Sequence, residues 1–69
     1  LTPPNFKVAD IVTPKKFTTA HKDDGPYIMV MQICNDHNYF HTYFLMDLND
    51  ASKYYEDIEY LDAYYIKVA

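Results

Sequence analysis

The chain has 69 residues, a formal net charge of −4, a single cysteine and 49% hydrophobic residues. That length holds one domain, 1–69, and the composition is too apolar and aromatic for a disordered chain. No apolar run approaches the ~20 residues that span a bilayer, and Cys34 alone excludes an internal disulfide, which reads as a reducing, cytoplasmic setting.

In chain order, Leu1-Thr2-Pro3-Pro4 is a stiff lead-in without the basic and apolar regions of a signal peptide. A start at Leu rather than Met reads as a trimmed or partial chain. The stretch Phe6–Val12 alternates and predicts a strand with Phe6, Val8 and Val12 inward, ended by Pro14. Residues 13–26 are polar and basic and close on Asp23-Asp24-Gly25-Pro26, where Gly supplies a positive φ and Pro restarts an extended chain. This predicts a long loop, with room for a short strand at Lys16–Thr19.

Tyr27–Cys34 and Tyr39–Leu48 are rich in β-branched, aromatic and Met residues around Asn35-Asp36-His37-Asn38, which predicts a hairpin. With Asp36 and His37 at the tip, Met29, Met31, Ile33, Phe40, Phe44, Met46 and Leu48 share one face, the better core. Ile28, Val30, Gln32, Cys34, Tyr39, His41, Tyr43 and Leu45 share the other. A bulge or another loop length exchanges the two sets, and because both faces are apolar the hairpin needs cover on each side. Asn49-Asp50 offers a turn or a helix N-cap. Residues 51–62 carry both signals: Tyr54, Ile58 and Leu61 fit a helix, whereas the Tyr pairs fit a strand. The reading settles on a helical turn near Asp57–Leu61 and a final strand at Tyr64–Val68.

A chain this short buries only ~60% of its unfolded surface. Without a disulfide its core rests on packing of eight Tyr, four Phe and three Met. Charge is uneven. Residues 1–22 hold four lysines against Asp10, and residues 47–69 hold six acids against Lys53 and Lys67. There is no Arg, the residue that forks onto phosphates and guanine edges.

The segments FKVADIV at 6–12, GPYIMVMQI at 25–33, YFLMDL at 43–48 and IEYLDAYYIKV at 58–68 resemble those of small SH3-like barrels. Such barrels occur in short accessory proteins of bacteria, plasmids and phages. Their opening strand often reads hydrophobic-x-Gly-Asp-x-Val, and Ala9 stands at the Gly position here. The resemblance implies a mostly β barrel of about five strands with a short helical turn near the C-terminus. Such barrels bind proteins, peptides, nucleic acids or themselves, so the fold transmits no single function.

Cys34, Asp36, His37 and His41 could in principle surround Zn²⁺, but no paired ligand motif such as C-x₂-C is present. A half-buried Cys beside two surface His residues is the plainer account. Catalysis by Cys34 lacks an orienting group and room for a pocket. The lone Gly25 is accounted for by a turn, and the carboxylates read as a solvated acidic face, so the reading is non-enzymatic, with no cofactor and no metal. Lys15, Lys16, Phe17 and Lys22 form a modest basic loop for nucleic acid, the alternative function. Protein binding, self-association included, has broader support from the acidic, Tyr-rich C-terminal third. Tyr offers rigid interface area at low entropy cost, and acids suit a basic partner. The expected contact residues are Asp57, Glu59, Tyr60, Asp62 and Tyr64. A phage or mobile-element accessory or inhibitor protein fits this pattern.

Overall fold

Extended segments rich in Ile, Val, Tyr and Phe give β1 (Ile11–Pro14), β2 (Ile28–Asp36), β3 (Phe40–Asp47) and β4 (Lys53–Asp57). A short helix α1 (Ile58–Tyr64) and β5 (Tyr65–Lys67) follow. The structure, a computed structural model, describes residues 3–15, 27–36 and 40–68, with Asp36 and Phe40 described by backbone alone. The strands form one sheet in the order β4-β3-β2-β1-β5, antiparallel at every pairing. Among the described residues the sheet is open, with β4 and β5 at its edges and α1 joining them. Among the described residues no helix is long and apolar enough to cross a membrane.

The β2–β3 hairpin departs from the expected register. Ile28 faces Asp47 and Val30 faces Leu45, the register shifts between Val30 and Gln32, and Ile33 then faces Tyr43. Pairing of Asp36 with Phe40 leaves residues 37–39, outside the described set, as the connection in place of an Asp36-His37 tip. The core face carries Ile28, Val30, Tyr43 and Leu45, all fully buried, so the inner face is drawn from the second set and not from the one read as the better core. Met29, Phe44 and Met46 lie on the opposite face, and Met31 is exposed at the bulge. The extra residue moves Ile33 onto the inner face, where it packs against the core. Neighbouring chain decides the matter. Val12 pairs with Ile28 on the side where Phe6, Ile58, Leu61 and Tyr65 also pack.

The expected strand at Phe6–Val12 is interrupted. The Asp10 N–H donates to the Lys7 carbonyl at 3.0 Å, and the Lys7 N–H donates to Asp10 Oδ2 at 2.8 Å. Between them Ala9 has φ 78°, the left-handed value that the third position of a type II turn requires. The turn leaves Phe6 in the core and puts Val8 outside at 57% exposure, so Val8 is not the inward residue its alternation suggests. Ala9 N–H to Val30 O at 2.8 Å and Val30 N–H to Asp10 O at 2.9 Å then lock this turn onto β2 just before the bulge.

Asn49-Asp50 forms a turn rather than a helix cap. Asp47, only 8% exposed, organises it. Its N–H donates to the Ser52 carbonyl at 2.8 Å, its carbonyl accepts from Ala51 at 2.8 Å, and its Oδ1 accepts from the Asn49 N–H at 2.7 Å. The Ser52 N–H donates to Asp50 Oδ1 at 2.9 Å, and this bond, with a second from the Ser52 side chain, holds the Asp50 carboxyl below its ordinary pKa. Ala51 closes the turn at φ 64° and feeds β4, whose Tyr54 packs on the core.

Candidate functional site

The acidic, tyrosine-bearing residues singled out in the sequence gather on α1 and its start. A seven-residue helix is too short to stand alone. It is held because Ile58 and Leu61, three positions apart, are buried against the sheet. Asp57 occupies the N-cap with φ −58° and ψ 138° and makes no side-chain cap hydrogen bond. Glu59 lies in the first turn, where its charge suits the positive end of the helix dipole. At the far end the Tyr65 N–H donates to the Leu61 carbonyl, and the Lys15 N–H donates to the Tyr64 carbonyl at 2.9 Å.

A polar bolt fixes the helix from below. Tyr43 is fully buried on β3, and its hydroxyl donates to Asp62 Oδ1 at 2.7 Å while accepting the Phe6 N–H at 3.2 Å. Asp62 Oδ2 accepts the Asn5 N–H at 3.1 Å. Burial first, and then the bond to Asp62, raise the Tyr43 phenol well above its ordinary pKa. Both oxygens of Asp62 are thus engaged within the chain, Oδ1 by the buried phenol and Oδ2 by an exposed backbone N–H, which gives it the position of a clamp.

The other expected residues do face outward. Asp57 and Glu59 are exposed, Tyr64 is 44% exposed, and Tyr60 is half-buried with one side against the core. The Tyr60 and Tyr64 rings, four residues apart, stand 5.0 Å apart at 49°. The helix sequence IEYLDAY contains no cation. The arrangement is a small aromatic surface with an acidic rim on a clamped element.

Of the alternative set, Lys15 is exposed just past β1, while Lys16, Phe17 and Lys22 lie outside the described residues. The short strand expected at Lys16–Thr19 lies outside them too. The shifted register pairs Cys34 with Thr42 and Asn35 with His41, so Cys34 and His41 stand on opposite faces instead of sharing one. His41 Nδ1 lies 2.9 Å from Asn35 Oδ1. Its Nε2 and the Thr42 hydroxyl are buried without a hydrogen-bond partner among the described residues, but the same alternation separates them. Among the described residues no group of three or more His, Cys, Asp or Glu is placed to hold a metal ion.

Tyr55, 62% exposed on β4, stacks on Phe44 at 4.8 Å on the outer face. The Tyr pair in Lys53-Tyr54-Tyr55-Glu56-Asp57 suits a strand, but the helical spacing of Tyr54, Ile58 and Leu61 competes with it. Comparison with protein-family models, curated proteins and solved structures finds no match to the chain.

Proposed function

We propose that this chain is a non-enzymatic protein-interaction module that holds a basic surface of another protein against the outward side of α1. One observation carries the reading: the Tyr60–Tyr64 pair sits on a helix clamped through Tyr43 and Asp62, with Glu59 and Asp57 exposed beside it and no cation on the helix. Rigid aromatic area supplies contact at low entropy cost, and the acidic rim selects a partner of opposite charge. The fold proposed for it is an SH3-like barrel. Five antiparallel strands, a short helix near the C-terminus and the positive φ of Ala9 at the expected Gly position support that reading. The proposed setting is cytoplasmic, in keeping with a lone unpaired cysteine.

The test is a pull-down from source-cell lysate treated with nuclease, run with the wild type, Glu59→Lys, and the pair Lys15→Glu with Lys16→Glu. The reading expects a nuclease-resistant partner that Glu59→Lys loses and the lysine variant keeps. Loss of the captured material on nuclease treatment, or retention by Glu59→Lys with loss by the lysine variant, contradicts it and favours nucleic acid.

A further inference from the structure

The edge strand β4 has a sequence and a hydrogen-bond phase that match its own reverse. The Asp47 N–H donates to the Ser52 carbonyl, which makes Asp47 and Ser52 a hydrogen-bonded pair. Antiparallel ladders alternate bonded and non-bonded pairs. Tyr54 and Glu56 therefore point their backbone groups at β3, and Lys53, Tyr55 and the Asp57 N–H point to the open edge, while the Asp57 carbonyl, at the N-cap, is turned to α1. The Asp57 N–H agrees with this phase, for it donates to the neighbouring Glu56 Oε1 at 3.2 Å.

We propose that β4 pairs with β4 of a second copy of this chain, antiparallel about a two-fold axis through Tyr55. In that register Lys53 faces Asp57 of the other copy twice over, and Tyr55 faces itself. Lys53 and Tyr55 turn their backbone groups to the edge, so Tyr55 meets a bonded partner across the axis, and Asp57 contributes through its carboxylate. Their side chains share the outer face, which places two Lys–Asp pairs on either side of a Tyr pair that extends the Phe44–Tyr55 stack. On the inner face Tyr54 comes opposite Glu56 of the other copy. A register centred one residue away, on Tyr54, sets Lys53 against Tyr55 and Asp57 against Ala51, and both ion pairs are lost. The other edge, β5, offers three residues against five. The charge pattern thus selects a closed two-fold pair, which also removes a free edge from a small domain without a disulfide. This inference uses the sheet edge and stands apart from the partner proposed for α1, since its test contains no molecule but this chain.

Sedimentation equilibrium of the full chain at rising concentration tests it, with Lys53→Glu, Asp57→Lys and the double variant alongside. Each single reversal turns two attractive pairs into repulsive ones and should weaken the dimer by about ten-fold. The double variant restores both pairs and should recover the wild-type dimer, a rescue that a folding defect would not give. Tyr55→Pro removes an edge-facing N–H that β3 does not use and should leave a folded monomer by circular dichroism. A wild-type chain that stays monomeric to high micromolar concentration overturns the proposal. So does a dimer indifferent to these changes, or growth beyond the dimer, which would signal head-to-tail pairing of β4 with β5.

Discussion

The phenol oxygen of Tyr43 joins three stretches of chain: β3, the N-terminal segment at Phe6 and, through Asp62, helix α1. Tyr43→Phe keeps the ring and its contact with Phe6 but strands a buried N–H and one carboxylate oxygen. Such a loss costs about 1–3 kcal/mol, and in a domain of this size each kcal/mol lowers Tm by about 4–8 °C. The folded pKa of Tyr43 lies above its ordinary value of 10.0. Its contribution is therefore whole below pH 10 and is lost as pH rises through the raised folded value. Urea titrations at pH 7 to 11 should show the gap between wild type and Tyr43→Phe narrowing only above about pH 10. A constant gap would contradict this role. Ala9 and Ala51 supply a second residue-scale prediction, because both hold positive φ at turns. Ala→Gly ordinarily destabilises, but relief of about 1–2 kcal/mol of left-handed strain outweighs the added freedom of the unfolded chain. Ala9→Gly should hold or raise the urea midpoint, and Ala9→Val should lower it.

Among the elements, the hairpin was legible because long β-branched and aromatic runs flank a polar turn. Its facing was not. The bulge after Val30 sits where the Ala9 turn bonds to β2, and those contacts leave no mark on the hairpin's own alternation. The same kind of local bonding, Asp10 to the Lys7 N–H, hid the break before β1. Helix α1 was legible from Ile58 and Leu61. Strand β4 was masked because its residues continue the helical spacing. Of the site, Glu59, Tyr60 and Tyr64 were legible as an acidic aromatic surface, but the inward role of Asp62 was not, since Tyr43 and Asn5 are distant in sequence. The helix should respond accordingly. Ile58→Ala or Leu61→Ala should cost about 2–5 kcal/mol, and Glu59→Ala less than about 0.5 kcal/mol. Urea unfolding followed by circular dichroism distinguishes these, and equal effects would mean that α1 is not held by its buried face.

At the scale of the molecule, a thin stability margin and an acidic balance act together. Small domains carry only about 5 kcal/mol or so of net stability, so variants meant to probe binding belong on exposed residues such as Glu59 rather than on Asp62. Binding to a basic partner through exposed charges should weaken as salt rises, because the Debye length shrinks from ~10 Å at 0.1 M to ~3 Å at 1 M. Measuring Kd for the captured partner at both salts checks this, and a salt-independent Kd would argue against an acidic docking surface. The most direct measurement is the footprint of that partner, by amide hydrogen exchange of the chain free and bound. The account predicts slowed exchange across α1, Ile58–Tyr64, with no change around Lys15. Protection around Lys15 with α1 unchanged would contradict it.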